Sequence, residues 1–506
     1  MSRPNIVLIC ADDLSFNEIG PYLGRGMPAD DPYHGQPVHT PHIDSLAGEG
    51  ALLTRYYATS AICTPSRYSI LTGRLASRSP GILRQFPAGS PATITWNTPV
   101  EPQEGNLAKL LKSLGYATGF VGKWHNGNPR MDFSGVAPEA DPADPQVAGI
   151  VRRAYDRGVE HLRGGLGFDF VDRVYFGNKE YLPPRLQVHN LEWIAEGAVE
   201  FIDRHAGGPF FLYMATSAPH GDQFSRFWQD NPCNTPAGVL RRRPETAMPA
   251  RENLLSRLRE LGVSEVTAMA AWIDDAVGAV LGRLEALGLA ENTVVVFTCD
   301  HLARGKYTCY EGSRVPFLVR WPARIRSGLE TDALCANVDL ACTLTRLAGG
   351  ELPADYVTDG VSFADLLLEP DRPHDRRKHI YLECSNIRGI VTQRWKYIAN
   401  RVTDDVMSRI EADEREARAT GRKRLVGWDG RKNPHKHAEQ EGIRYFASGE
   451  FPDYFDPDQL YDLEADPWEQ QNLASDPRHA ETLAGLKETL REELARLPHS
   501  FGEFTA

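Results

Sequence analysis

One cysteine, Cys63, heads the stretch Cys-Thr-Pro-Ser-Arg-Tyr-Ser-Ile-Leu-Thr-Gly at residues 63–73. Pro65 and Ser66 are first-turn and capping residues, Tyr68, Ile70 and Leu71 supply an apolar face, and Gly73 supplies a stop. The spacing predicts a short helix with Cys63 at its N-terminus. Exposed amide N–H groups and the helix dipole favour negative charge at that point. Arg67, four residues on, adds a positive charge present at every working pH. These residue types predict a reactive cysteine beside a bound anion, against the plainer reading of a buried, inert thiol. Further residues able to do chemistry are Asp12, Asp13, Lys123, His125, His220, Asp300, His301 and Lys306. Adjacent carboxylates at Asp12 and Asp13 repel each other and call for a divalent cation, unless they serve as a helix cap before a solvated loop.

The elements that must position these residues follow from hydrophobic pattern. Residues 5–11, 117–121, 209–216 and 293–299 are apolar runs of the kind that form strands buried on both faces. Helical stretches intervene at 104–114 and 264–287, the latter carrying Val266, Met269, Ile273, Val277, Val280 and Leu284 at helical spacing. Strands alternating with helices predict a mostly parallel α/β sheet. Ligands bind such sheets beyond the carboxyl ends of the strands. Asp12, Asp13, Lys123, His125, His220, Asp300 and His301 all fall just after strand-like runs. Singly, each has an ordinary structural reading; together they predict one cleft of titratable groups around Cys63. Residues 335–348 read as a helix packed on the sheet. The charged, proline-bearing stretch 369–379 reads as a domain boundary, dividing the chain into 1–375 and 376–506. Beyond it, 380–384 and 390–398 read as short strands. A last helix is capped by Asp476, has Pro477 in its first turn, and carries the stripe Leu483, Leu486, Leu490, Leu494 and Leu497. The expected fold class is α/β, a large mixed, mostly parallel sheet sandwiched by helices, with a smaller C-terminal α+β domain of short antiparallel sheet plus helix.

Composition sets limits. In 506 residues, 42% hydrophobic and 25% charged, no apolar stretch is long enough to span a bilayer, so no membrane partner is expected. A net charge of −12 argues against nucleic acid and requires a local cationic cluster for any anionic substrate. The eight cysteines (10, 63, 233, 299, 309, 335, 342 and 384) show neither zinc spacing nor disulfide-scaffold density, which fits a reducing compartment. Met1-Ser-Arg-Pro-Asn runs directly into a strand without signal-peptide regions. The expected location is cytoplasmic, or periplasmic or secreted where a leader has been removed.

Cys63-Thr-Pro-Ser-Arg67 followed by Leu-Thr-Gly resembles the signature of the formylglycine-dependent type I sulfatases of the alkaline phosphatase superfamily. The resemblance extends to Lys123-Trp-His125, Asp300-His301, Lys306 and the turn Glu-Gly-Ser-Arg-Val-Pro at 311–316. It covers most of the chain apart from 128–164, 221–262 and 400–450. It implies hydrolysis of a sulfate monoester to alcohol and inorganic sulfate, with Cys63 oxidised to formylglycine by a formylglycine-generating enzyme. Asp12, Asp13, Asp300 and His301, with residue 63, would hold one divalent cation, Ca²⁺ first, with Mg²⁺ or Mn²⁺ as alternatives. Lys123, His220 and Lys306 would bind the sulfate, and His220 with Lys306 would protonate the leaving alcohol. Attack would leave a sulfated hemiacetal on residue 63. His125 would take the proton of the second hydroxyl so that the aldehyde reforms, and Arg67 would hold the diol and balance charge. Leu302 replaces a glycine common after the metal pair, the loop to Lys306 is short, and Asn126 stands where many relatives carry leucine, which predicts a more polar cleft rim. Two rival readings are a phosphonate monoester or phosphodiester hydrolase of the same superfamily, and an unmodified homologue that only binds sulfated ligands. The alcohol is open among aryl, choline-like and sugar esters, a glycan being preferred. The basic stretch 422–437, with Trp428, reads either as a solvated loop or as a wall over the cleft.

Overall fold

In a computed structural model, the protein is described over residues 3–24, 35–127, 131–220, 227–374, 377–402, 404–421, 453–454 and 456–504. The apolar run 5–11 extends as strand β1 (Asn5–Asp13), all nine residues buried. It pairs in parallel with β6 (Phe210–Pro219) on one side and β9 (Thr293–Leu302) on the other. Across the eight-stranded sheet the order is β11 (Leu329–Thr331), β2 (Ala51–Leu53), β10 (Phe317–Arg320), β9, β1, β6, β4 (Ala117–Lys123) and β5 (Phe170–Tyr175). Only β10 runs against its neighbours, so the sheet is mixed but mostly parallel. Short ladders join β3 (Tyr56–Tyr57) to β12 (Cys335–Ala336) and β7 (Asn234–Thr235) to β8 (Gly238–Val239).

Helices Pro41–Gly48, Leu191–His205 and Ala268–Ala286 pack on one another and on the sheet, and Cys63–Thr72, Leu107–Ser113 and Leu340–Leu347 form a second such group. The stretch expected as one helix at 335–348 is a strand, a 3₁₀ turn at Asn337–Asp339 and then the helix. Asp339 causes the break, its carboxylate accepting from Ala336 N–H at 2.8 Å.

The C-terminal sheet is antiparallel, in the order β13 (Ile380–Cys384), β14 (Ile387–Val391), β15 (Trp395–Asn400) and β16 (Asp458–Asp462). The run 390–398 is two strands rather than one. Thr392 and Trp395 close the turn between them, Thr392 N–H donating to Trp395 O at 2.8 Å and Trp395 N–H to Thr392 Oγ1 at 2.9 Å. One face buries Tyr381, Ile390, Tyr397 and Leu460 against Leu486, Leu490 and Leu494 of the helix Ala480–Leu494. Each of those leucines contributes roughly 2 kcal/mol of transfer free energy. The other face packs Ile380, Leu382, Ile387 and Ile398 against Tyr57, Tyr310 and Ile62, the residue before Cys63. Among the described residues no helix is long and apolar enough to cross a membrane. Residues 422–437, including Trp428, lie outside the described residues.

Candidate active site

Several of the residues expected just after the strands are still paired within them. β1 carries Asp12 and Asp13, β4 ends at Lys123, and β9 includes Asp300 and His301. An apolar run stops at its first polar residue, whereas the hydrogen-bonded ladder continues. His220 follows directly on β6. Three register irregularities sit near two of these ends, two in β1 between Cys10 and Asp12 and between Ala11 and Asp13, and one in β4 between Phe120 and Gly122. Irregularities of this kind re-aim side chains beside functional sites.

Cys63 opens its helix, which runs to Thr72, with Gly73 at φ 66° ending it. Ile62 occupies the N-cap position without a side-chain cap, so Ser66 is not the capping residue expected. Ser66 Oγ instead donates to the Asp300 carbonyl at 2.5 Å and accepts from Asn337 Nδ2 at 2.9 Å, pinning the helix to the end of β9. Asn126 also departs from expectation. It is fully buried rather than part of a polar rim, and its amide donates to the Thr64 carbonyl at 3.1 Å.

The sequence-selected side chains converge. Cys63 Sγ lies 3.3 Å from His301 Nε2 and 3.9 Å from Lys123 Nζ. Two groups of possible ligands overlap on it, Asp13–Cys63–His301 and Asp12–Cys63–Asp300, with ligand atoms within 4.8 Å of one another. Arg67 is fully buried. Its Nε donates to Asp300 Oδ2 at 3.1 Å, one terminal nitrogen donates to the Lys123 carbonyl at 3.1 Å, and the other lies 3.3 Å from Asp12 Oδ1. Lys123 pairs with Asp12, and Lys306 pairs with Asp13 at 2.7 Å. His301 Nδ1 lies 3.1 Å from Asp13 Oδ1, and His220 Nε2 lies 3.8 Å from Asp13 Oδ2.

Three buried carboxylates therefore face three buried cations, and their formal charges cancel. Burial pushes the Cys63 thiol well above its ordinary range, the ammonium groups of Lys123 and Lys306 only partly opposing this. The thiol is consequently protonated and a poor nucleophile as it stands. Burial disfavours charge on Asp300 too, but His301 and Arg67 outweigh it and hold the carboxyl at about 2. Burial, reinforced by Lys123 and Arg67, keeps His125 neutral well below its usual range, and burial with Lys306 and Lys123 does the same to His220.

A divalent cation fits this donor set. Asp12 Oδ1 and Asp13 Oδ1 are buried and accept no hydrogen bond of good geometry, although Arg67 and His301 stand within ion-pair distance of them, and a carboxylate oxygen in that condition has capacity left for a cation. A cation would turn a neutral cluster into one of charge +2, suited to an anionic ester. The donors, mostly carboxylate oxygens with one imidazole, suit hard cations such as Ca²⁺, Mg²⁺ or Mn²⁺.

A cavity of about 430 Å³ begins at Thr64 and His125 and is walled by Trp96, Phe176, Asn178 and Tyr181, among others. Sequence reasoning did not find these walls, nor the roles of Ser66 and Asn337. They come from separate loops with no shared spacing, so no local signal marks them.

The sequence profile of the Sulfatase family matches residues 4–350, and that of the C-terminal part of N-sulphoglucosamine sulphohydrolase matches 301–419. The chain belongs to the sulfatase family and is a sulfuric ester hydrolase. Among its relatives, an N-acetylgalactosamine-6-O-sulfatase of Bacteroides thetaiotaomicron is 27% identical, over 98% of this chain and 94% of that one. Human arylsulfatase A is 31% identical over 79% of this chain and 75% of its own. Of solved structures, a sulfatase from work on glycosaminoglycan metabolism by Bacteroides thetaiotaomicron shares the fold at a TM-score of 0.61 and 24% identity, covering 97% of this chain and 99% of that chain. Another, solved with its substrate D-glucosamine-2-N,6-O-disulfate, has a TM-score of 0.57 at 18% identity, with 98% of each chain covered.

Proposed function

We propose that this sulfatase releases sulfate from a sulfated sugar, using Cys63 converted to formylglycine by a formylglycine-generating enzyme. The observation that carries the reading is the position of Cys63, where both candidate ligand groups overlap and where the cavity starts one residue away at Thr64. The glycan preference draws support from the N-acetylgalactosamine-6-O-sulfatase relative and from the structural neighbour solved with a sulfated glucosamine.

Formylglycine would supply a hydrated aldehyde whose hydroxyl attacks sulfur, a role the protonated thiol cannot fill. A divalent cation, Ca²⁺ first, held by Asp12, Asp13, Asp300 and His301 with residue 63, would supply Lewis acidity that lowers the pKa of that hydroxyl. The chain's own groups do the rest. Lys123 and Lys306 place two buried ammonium groups against the sulfate oxygens, where low dielectric strengthens them. Arg67 locks the Asp12 and Asp300 carboxylates in place through its ion pair and hydrogen bond. His125, neutral and with Nδ1 unpartnered, is ready to accept a proton from residue 63. Burial, with the ammonium groups of Lys306 and Lys123, keeps His220 well below its usual range. We assign the proton delivered to the leaving alcohol to His220 together with Lys306.

The test combines chemistry and rate. The peptide containing residue 63 should carry an aldehyde by mass, Cys63→Ala should abolish turnover while leaving the thermal midpoint in place, and a sugar sulfate should outrun an aryl phosphonate ester. A fully active enzyme whose residue 63 is an alkylatable thiol would refute the formylglycine assignment. Faster phosphonate hydrolysis would refute the substrate assignment.

A further inference from the structure

The backbone around Lys306 is one that needs outside support. After β9 ends at Leu302 a loop runs to the 3₁₀ turn Glu311–Ser313, and within it Lys306 stands between two left-handed residues, Gly305 at φ 70° and Tyr307 at φ 71°. A tyrosine keeps that conformation only where its surroundings over-determine it. Part of the support is local. Tyr307 N–H donates to the carbonyl of Ala61, two residues before Cys63, at 2.9 Å. Thr308 Oγ1 donates to the Gly305 carbonyl at 2.6 Å and accepts from Tyr310 N–H at 3.2 Å, closing the loop on itself. The rest comes from the C-terminal sheet, 149 positions along the chain, where Gln459 Oε1 on β16 accepts from the Tyr310 hydroxyl.

That acceptor is held rigidly. Tyr310 and Gln459 are each only 1% exposed. The Gln459 amide donates to the Tyr454 carbonyl at 3.2 Å and to the Asp456 carbonyl at 3.0 Å. With both donors engaged, its oxygen has one orientation, and it accepts from Tyr310 of the loop and, at 3.0 Å, from Tyr461 of its own strand. Neighbouring contacts run the same way. Cys309 Sγ lies 3.9 Å from the Ile387 carbonyl of β14, and Glu311, paired with Arg304 across the loop, shares a cavity with the buried Lys396–Glu469 pair of the C-terminal part. Resting on the assignment of Lys306 to the sulfate, we propose that Tyr310 and Gln459 are positioning residues of the reaction. Their hydrogen bond lets the C-terminal sheet hold the loop in the conformation that points the Lys306 ammonium at the sulfate oxygens. Neither residue touches the reacting atoms, yet the sheet that carries Gln459 becomes part of the active centre through them.

The experiment sets two substitutions of identical chemistry against each other. Tyr310→Phe and Tyr461→Phe each remove one hydroxyl from Gln459 Oε1, but only the first cuts the tie to the loop. Sulfate release is followed by ion chromatography on the faster of p-nitrophenyl sulfate and N-acetylgalactosamine 6-sulfate, with inorganic sulfate as inhibitor. Tyr310→Phe should lower kcat/KM by about threefold to tenfold, the worth of one neutral hydrogen bond, and raise the inhibition constant of sulfate by a similar factor. Tyr461→Phe should leave both at the parental value while losing a comparable amount of thermal midpoint. Lys306→Met should lower kcat/KM by about 100-fold or more, and Tyr310→Phe added to it should cost nothing further, because the tyrosine acts through the ammonium. Gln459→Met, which cuts the same tie from the strand side, carries the same expectation should circular dichroism show Tyr310→Phe unfolded. If Tyr461→Phe loses as much rate as Tyr310→Phe, the loss is one of general stability and the proposal falls. It falls equally if Tyr310→Phe keeps the parental rate and sulfate affinity, or if its cost persists undiminished beside Lys306→Met. Lys306→Met at the parental rate would overturn the assignment of Lys306 itself, and the positioning role with it.

Discussion

Gly122→Ala tests the link between the sheet and the site most directly. Gly122 sits in β4 one residue before Lys123, with φ 95°, at the point where the β4–β5 register slips. A Cβ added there would lie 1.7 Å from the Ala215 carbonyl oxygen on the neighbouring strand β6. Real Cβ contacts essentially never fall below 3.0 Å, so the two strands must part by more than an ångström at this point. The obstacle is backbone, which cannot rotate aside. Left-handed φ for a residue with Cβ costs roughly 1–2 kcal/mol, and overpacking a tight site adds about 1–3 kcal/mol. The expected destabilisation is therefore about 2–5 kcal/mol, read as a lower thermal midpoint. The functional cost follows from displacement. Lys123, which carries the Asp12 ion pair and approaches Cys63 Sγ at 3.9 Å, hangs on the residue that must move. A misplacement of about 1 Å costs on the order of 100-fold in rate, so kcat for sulfate release should fall by that factor even below the melting range. A variant with the parental midpoint and activity within threefold would show that β4 does not set the position of Lys123 and would refute this reasoning.

Arg67→Met should destabilise the protein by about 3–5 kcal/mol, because Asp12 and Asp300 would lose their buried guanidinium partner; a loss below about 1 kcal/mol in thermal unfolding would remove Arg67 from the support of the site. Exhaustive chelation should stop sulfate release, with Asp13→Ala lowering it by orders of magnitude, and rates unchanged by chelation would exclude a cation from the reaction. Stability should fall as pH drops below about 6.5, since His125 and His220 stay neutral in the fold while the unfolded chain binds their protons. Each such histidine contributes a slope of about 1.4 kcal/mol per pH unit, and His125→Asn should remove one proton's worth of slope between pH 6.5 and 5. An identical slope in that variant would place a proton on His125 in the native state.

Much of the site was legible because its parts are scarce residue types placed after buried apolar runs. Asp12, Asp13, Lys123, Asp300 and His301 all meet around Cys63, as the alternation of strands and helices leads one to expect. What stayed hidden depends on which loops meet in space. Ser66 looked like a cap because serine early in a helix usually is one, but its hydroxyl is drawn to the Asp300 carbonyl 234 positions along the chain. Asn126 looked like a rim residue because it is polar, but the Thr64 carbonyl gives it a buried partner. The run 390–398 hid a turn because Thr392 and Trp395 both have high strand propensity. Trp96, Asn178 and Tyr181 carry no pattern at all, and only the folded chain brings them to one cavity.

The site also shows why two adjacent aspartates can serve one centre. Successive residues of a strand point to opposite faces of the sheet, so a regular β1 would send Asp12 and Asp13 apart. Asp13 has φ 67°, and the β1–β9 register slips between Ala11 and Asp13. That local reversal turns both carboxylates to the same side, where Asp12 meets Lys123 and Arg67 while Asp13 meets Lys306 and His301. His125 at φ 47° and Tyr307 at φ 71° repeat the device next to Lys123 and Lys306. Of the six non-glycine residues with positive φ among those described, three lie at this centre. Conformations of this kind cost of order 1–3 kcal/mol each and persist only where the surroundings over-determine them. Here the surroundings are four parallel strands buried on both faces, which hold the backbone rigid up to the residue where it must turn. The long apolar runs and the strained polar ends are thus one design, the former supplying the stability that keeps the latter aimed at residue 63.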